Sequence, residues 1–384
     1  MTPGARVAAA IDILEHILNE EPAEKAMTGW ARRSRFAGSK DRAAVRDHVY
    51  DVLRRRNSCA ARGGAATGAR GLMLGLMRQD GQAVETLFTG PPYSPEPLSD
   101  AEMADPGPDD VPDVPEWLLP VFEASLGDGF AETIEALRHR APVMLRVNLR
   151  KASREAAQRS LSDEGIETLP CEIADTALRV TQGARQVVRS AAFQSGLAEL
   201  QDGSSQAAVA RMDVPEGGRV LDLCAGGGGK SLALASRSDV TCFAHDLEPR
   251  RMQDIAARAA RSGVEVHQVS TCDLDKKAPF DMVLCDVPCS GSGTWRRTPD
   301  AKWRLTPERL LELQDMQDAI LDRAVQLAGE QGRICYMTCS LLEAENEARV
   351  AQFAARHPGW RAAEMRRWPV SDQGDGFFAA HLMR

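Results

Sequence analysis

Apolar residues recur every three or four positions through the start of the chain: Val7, Ile11, Leu14, Ile17 and Leu18, then Val45, Val49, Val52 and Leu53. That is the spacing of one buried stripe per helix. It predicts a small helical domain over residues 1–90, punctuated by Gly63, Gly64, Gly68 and Gly71. The pattern stops at 91–116, where Pro91, Pro92, Pro95, Pro97, Pro106, Pro108, Pro112 and Pro115 stand among acids. Such a stretch is too proline-rich and charged for a core element, and a linker is expected. Over 117–200 a helical stretch runs to about Arg140. A strand follows at Val143–Val147, then a charged helix at Arg154–Asp163 and a strand at Thr176–Val180, which together predict a small α+β connector. Over 201–384 strands alternate with glycine turns and helices: strand Arg219–Leu223, glycines 226–229, helix Ser231–Ser236, strand Thr241–His245, helix Arg250–Ser262, strand Val264–Val269 and strand Asp281–Leu284. A further apolar run covers Arg333–Met337. Alternation of this kind predicts an α/β domain with a doubly wound, mostly parallel sheet.

A chain of 384 residues, 43% hydrophobic and 27% charged, has room for more than one core. It contains no apolar run near the roughly 20 residues of a membrane span. Asp12 and Glu15 interrupt the region where a signal peptide would be apolar, so a cytoplasmic protein with no membrane partner is expected. Nine cysteines fit reduced thiols rather than a disulfide framework. Cys285 with Cys289, and Cys335 with Cys339, have C-x3-C spacing, but each pair spans a strand and its exit loop rather than a tight knuckle, so no metal is expected.

The net charge of −8 is at odds with a nucleic-acid partner until its distribution is read. Between Trp30 and Arg70 lie Arg32, Arg33, Arg35, Lys40, Arg42, Arg46, Arg54, Arg55, Arg56, Arg62 and Arg70, opposed only by Asp41, Asp47 and Asp51. Residues 91–135 hold no lysine or arginine, and carry acids including Glu96, Asp109, Asp110, Asp113 and Glu135. A local basic patch can bind RNA on an acidic protein. A solvated helical face has the same composition, and charge alone does not choose between them.

The segment Asp222-Leu223-Cys224-Ala225-Gly226-Gly227-Gly228-Gly229-Lys230-Ser231 is a strand end, a glycine turn and a helix start. Glycines let backbone approach a nucleotide closely. Gly229-Lys230-Ser231 matches the tail of a P-loop, but that motif needs a glycine at 224, where the chain has cysteine. The next strand ends at Asp246, placed for ribose hydroxyls, and the one after leads to Asp273, placed for an adenine amino group. Acids at successive strand ends after a glycine turn favour an adenosine-containing cofactor. Cys289 in Asp286-Val287-Pro288-Cys289-Ser290 and Cys339 in Thr338-Cys339-Ser340 each follow a strand-like run, where α/β enzymes keep their chemistry. Cys224, Cys242, Cys272, Cys285 and Cys335 are expected to pack as small apolar groups.

Four segments in combination, Asp222–Lys230, Asp286–Gly293, Arg297–Trp303 and Thr338–Ser340, resemble the Sun/Fmu-type (RsmB-like) RNA cytosine-5 methyltransferases. Leu145–Leu149, Leu200–Gln206 and Asp375–Phe378 support the match, which covers about Val143 to Arg384. The region around Asp41–Arg55 resembles the NusB-like RNA-binding domain of the ribosomal RNA members. The resemblance implies a Rossmann-like methyltransferase domain using S-adenosyl-L-methionine, held by Cys224, Ala225, Gly226, Gly227, Gly228, Gly229, Lys230, Asp246, Asp273 and Asp286. It implies attack by Cys339 on carbon 6 of cytosine, Asp286 on the base edge, Cys289 in release, and Lys230 beside the reacting centre. A monomer acting on 16S ribosomal RNA is expected, with transfer RNA as the alternative substrate. A non-catalytic, antitermination-like RNA-binding factor is the alternative outside enzymes. The family usually has proline where this chain has Gly227, which loosens the φ restraint on the loop.

Overall fold

The computed structural model describes residues 1–104, 106–108 and 110–384, so Asp109 of the acidic stretch lies outside the described residues. The chain divides into two compact units. One comprises Met1–Glu123, Asp128–Arg140 and Trp295–Arg304; the other comprises Ala124–Gly127, Ala141–Thr294 and Leu305–Arg384.

The first unit is helical, with α1 (Pro3–Leu18), α2 (Ala23–Arg33), α3 (Ser39–Arg54), α4 (Arg56–Gly63) and α5 (Gly68–Gln79). Thr2 caps α1, its hydroxyl accepting from the Ala5 N–H, and Pro3 opens the helix where no N–H is needed. The stripe residues Val7, Leu14, Val45, Val49 and Val52 are at most 1% exposed and form its core with Met73 and Leu76. α4 and α5 pack so closely that a Cβ on Gly75 would stand 1.8 Å from the Cys59 carbonyl oxygen.

Three features of this unit depart from the sequence reading. The described residues of the 91–116 stretch are tied to the helices rather than forming a free linker. Glu102 takes the Arg70 guanidinium at 2.7 Å, and Asp113, 2% exposed, pairs with Arg138 at 3.1 Å while accepting from the Ser58 N–H and hydroxyl. These charges are consumed by ion pairs, which composition does not show. The basic run is likewise partly internal: Arg54 lies buried between Asp51 and the Arg296 carbonyl, and Arg55 pairs with Asp80. The third departure is Trp295–Arg304, placed by sequence in the α/β domain but belonging to the helical unit. Trp295 stacks on Phe122 with centroids 5.5 Å apart, and the Lys302 ammonium donates to the Arg54 carbonyl.

The second unit holds two sheets. The smaller is antiparallel: β1 (Val143–Val147), β2 (Thr168–Pro170), β3 (Ala177–Val180) and β4 (Ala198–Leu200), in the order β2-β3-β1-β4. The sequence reading has β1 and β3; β2 and β4, three residues each, are too short to carry an alternation. The larger has β5 (Arg219–Asp222), β6 (Thr241–Ala244), β7 (Val266–Gln268), β8 (Phe280–Asp286), β9 (Ala328–Thr338), β10 (Arg361–Trp368) and β11 (Phe377–Met383), in the order β10-β11-β9-β8-β5-β6-β7. β5 to β9 are parallel, and β11 runs antiparallel to both β9 and β10. Leu221, Val283, Ile334 and Tyr336 face one buried layer with Leu321 and Phe353, while Val220, Met282, Leu284 and Cys335 face the other with Ala233 and Leu234. Burial on both faces explains why these strands read as continuous apolar runs. The strand order reverses between β5 and β8, opening a crevice at their carboxyl ends. No helix among the described residues is long and apolar enough to cross a membrane.

Candidate active site

β5 ends at Asp222 and the chain turns through Gly226 (φ 51°) and Gly228 (φ 74°) into the helix Gly229–Arg237. Those two left-handed positions are why the turn needs glycine. A Cβ at Gly228 would also meet the Ile255 side chain at 2.9 Å. The turn is tied down at each step: the Ala225 N–H donates to the His245 carbonyl at 2.8 Å, and the Gly226 N–H to Asp246 Oδ2 at 2.9 Å. Gly227, where the family proline is missing, has its carbonyl held by the Arg258 guanidinium. From the small sheet, Arg146 donates to the Gly229 carbonyl at 2.9 Å and to Gln201 at 2.6 Å, which is how the Leu145–Leu149 and Leu200–Gln206 motifs reach the loop.

Asp222, Asp246, Asp273 and Asp286 stand at the carboxyl ends of four neighbouring strands, but their surroundings differ. Asp222 is buried; one oxygen accepts from the Ser231 hydroxyl at 2.6 Å and Oδ1 has no partner among the described residues. Burial pushes its carboxyl up to about 7, with the Ser231 hydrogen bond opposing and the charge of Asp286 adding. Asp246 is 4% exposed; it also accepts from the Glu248 N–H and faces the half-exposed Arg251 at 3.0 Å. Asp273 lies in an exposed turn. Lys276 at 2.7 Å, and then the Ser270 hydroxyl, hold its carboxyl down at about 2. Among the described residues no hydrogen bond or ion pair ties Asp273 to the glycine turn.

The remaining sequence-predicted residues meet in two pairs. Lys230 Nζ lies 2.6 Å from Asp286 Oδ2 and 5.1 Å above the Phe377 ring. Burial pulls the ammonium's pKa down, but Asp286, by charge and hydrogen bond, more than reverses this and leaves it above the ordinary lysine value. Cys289 Sγ lies 3.4 Å from Cys339 Sγ. The hydrogen bond with Cys339, then burial and the negative charges of Cys339 and Glu345, push the Cys289 thiol well up. Cys285 and Cys335, the other halves of the C-x3-C pairs, are fully buried within strands.

The family model for 16S rRNA methyltransferase RsmB/F matches residues 209–383, and that for the ferredoxin-like domain of Methyltr_RsmF/B-like proteins matches residues 114–187. A ribosomal RNA small subunit methyltransferase B of Xylella fastidiosa is 33% identical over 288 residues, covering 70% of this chain and 67% of that protein. The Salmonella arizonae protein of the same name is 31% identical over 334 residues, 82% of this chain and 73% of its own. The chain belongs to the RsmB/F methyltransferase family. Its fold extends further: the crystal structure of PH0851 superposes with a TM-score of 0.76 at 22% identity, covering 100% of this chain and 99% of that one.

Within this RsmB/F fold the structure brings Cys289 to Cys339 and Lys230 to Asp286, two pairs drawn from the strand ends and the loop that the sequence reading singled out. The sequence reading does not single out Glu345 or Asn346, and has Ser290, Ser340 and Phe377 only within motif segments; all five lie beside these pairs. Their signal lies in a serine following each cysteine and in the acid–amide run Glu345-Asn346-Glu347. It also misses Arg251 and Arg258, which are arginines on an exposed helix pattern until the loop is seen beneath them.

Proposed function

We propose that this protein is an S-adenosylmethionine-dependent RNA cytosine-5 methyltransferase acting on 16S ribosomal RNA in the cytoplasm. The observation that carries the reading is the Cys289–Cys339 pair at the ends of β8 and β9, beside the Lys230–Asp286 ion pair. The ribosomal substrate is supported by the names of the relatives.

The glycine turn fits such a cofactor. Its two left-handed glycines leave backbone open to a nucleoside, and Asp246, which accepts from the Gly226 N–H, fixes the turn from the next strand end. Asp222 Oδ1 is an acceptor without a partner among the described residues. Residues 224–230 with Asp246 and Asp286 would hold the group. Asp273, exposed and engaged with Lys276, would reach an adenine amino group from the adjacent strand end. When bound, S-adenosylmethionine supplies an electrophilic methyl group.

The chain's own residues supply the activation. Cys339, as thiolate, adds to carbon 6 of cytosine; the sulfur–carbon 6 bond forms as the carbon 5–carbon 6 π pair moves onto carbon 5, delocalised toward nitrogen 3, and makes carbon 5 nucleophilic. Asp286, fixed by Lys230, accepts from the exocyclic amino group and orients the ring. Cys289 donates its S–H to the Cys339 sulfur, which supports the thiolate before attack. Release requires that carbon 5 lose its proton to a base, that its electron pair re-form the double bond and that the carbon 6–sulfur pair return to Cys339; Cys289 again stands ready to donate to that sulfur.

An RNA partner is further supported by the turn between α2 and α3. Phe36 is 77% exposed there, and Arg32, Arg33, Arg35, Lys40 and Arg46 around it are exposed, the pairing of ring and cations that single-stranded RNA favours. Bisulfite sequencing of cellular RNA from a deletion strain tests the reading. Loss of one 16S cytosine-5 methyl group, restored by the gene, supports it. Loss from transfer RNA alone would change the substrate, and no loss would refute the activity.

A further inference from the structure

Glu345 is 0% exposed and pairs with no lysine or arginine among the described residues, yet it is not in the sequence motifs that define the site. A buried carboxylate without a counter-charge is costly unless hydrogen bonds replace its water. Here they do, and they come from both cysteine loops. Ser290, the residue after Cys289, donates its N–H to Oε1 at 2.8 Å and its hydroxyl to Oε2 at 2.5 Å. Ser340, the residue after Cys339, donates its hydroxyl to the same Oε2 at 2.5 Å. Gln317 donates to Oε1 at 3.0 Å and to the Pro288 carbonyl at 2.9 Å, tying the Cys289 loop from its other side. The backbone of Glu345 is anchored in turn by the Tyr336 hydroxyl at 2.6 Å, from within β9. One carboxylate therefore bridges the residues next to both thiols.

We propose that Glu345 is a positioning residue of the methyl-transfer reaction, holding the Cys289 and Cys339 loops in the register that puts the two sulfurs face to face. This rests on the thiol chemistry proposed above and deepens it. The bridge also explains why a serine follows each cysteine, which neither the nucleophile nor its partner requires. Because the negative charge lies close to Cys289, it has a second effect: it helps hold that thiol's pKa up.

Three variants test the inference on the full-length protein with S-adenosylmethionine and 16S RNA. Glu345→Gln keeps the volume and part of the hydrogen bonding but loses the charge and one acceptor. Its kcat is expected to fall roughly 10- to 100-fold, the cost of misplacing reacting groups by a fraction of an ångström to an ångström. KM for RNA and the cofactor dissociation constant are expected to change less than about twofold, since Glu345 touches neither. Ser290→Ala with Ser340→Ala, which cut the same bridge from the other end without touching the carboxylate, are expected to show the same split, so a folding defect in Glu345→Gln does not decide the question. In a Cys339→Ala background, alkylation of Cys289 by iodoacetamide is expected to move its midpoint about one pH unit lower when Glu345→Gln is added, a tenfold gain in thiolate at fixed pH that a purely structural role does not give. Cys339→Ala alone separates the two claims. If it is inactive while Glu345→Gln and the serine pair keep the parental kcat, the inference is overturned and the thiol reading stands. If Cys339→Ala is fully active, both fall.

Discussion

Lys302 offers a stability test of the segment that the fold assigns to the helical unit. Its ammonium is 1% exposed, donates to the Arg54 carbonyl at 3.0 Å and lies 4.8 Å above the Trp303 ring. Burial dominates its environment; Asp113 offsets this in part, while Arg54 and Arg138 add to it, and the group falls to about 7 from an ordinary 10.5. Between these values the unfolded chain binds a proton that the folded chain has released, so stability rises with pH from about 7 to about 10.5 and the penalty is fully present below 7. From pH 7 to pH 9 a single group with this pair of values adds roughly 2 kcal/mol. Lys302→Met, which fills the same space without a charge, should lose that increment. Urea unfolding of both proteins at pH 7 and pH 9, followed by tryptophan fluorescence, measures the double difference. Parent and variant gaining equally over this range would refute the buried, unpaired environment assigned to Lys302.

Asp246→Ala should weaken S-adenosylmethionine binding by about 1.5–3 kcal/mol, the range for hydrogen bonds to a charged group, as read by calorimetry without RNA; unchanged affinity would remove Asp246 from the cofactor site. Gly227→Pro should preserve or tighten cofactor binding, because this glycine lies outside the left-handed region, whereas Arg258→Ala should weaken it by freeing the Gly227 carbonyl; the opposite order in calorimetry would sink the account of the loop. Phe36→Ala should raise the RNA dissociation constant by roughly 1–3 kcal/mol with its salt slope kept, and Arg33→Ala with Arg35→Ala should flatten the slope; a titration over salt that shows neither would make this turn an ordinary solvated surface.

The parts of the fold legible in the sequence are those built from repeating local patterns. The stripe from Val7 to Leu18 marks α1, and the apolar runs ending at Asp222, Asp246 and Asp286 mark parallel strands because both their faces are buried. The glycine turn is legible because Gly226 and Gly228 occupy conformations that other residues avoid. What stays hidden depends on partners distant in sequence. Residues 91–116 look like a linker because Arg70 and Arg138, which neutralise Glu102 and Asp113, lie elsewhere in the chain. Trp295–Arg304 directly follows the Asp286–Gly293 motif, and contacts such as Trp295 on Phe122 and Lys302 on the Arg54 carbonyl reveal the unit it joins. Cys289 and Cys339 stand out because each ends a strand; Glu345 does not, because a carboxylate on a short turn has the look of a surface residue until two serines are found on it.

Denaturing electrophoresis of protein mixed with 16S RNA and S-adenosylmethionine tests the central claim most directly, using Cys339→Ala and Cys289→Ala side by side. The account predicts that Cys339→Ala makes neither methylated product nor covalent adduct, because the nucleophile is gone. Cys289→Ala, which retains attack but loses the thiol 3.4 Å from the departing sulfur, should trap a protein–RNA complex that survives denaturation. An adduct formed by Cys339→Ala and absent from Cys289→Ala would reverse the two roles, and full turnover by both would contradict thiol catalysis altogether.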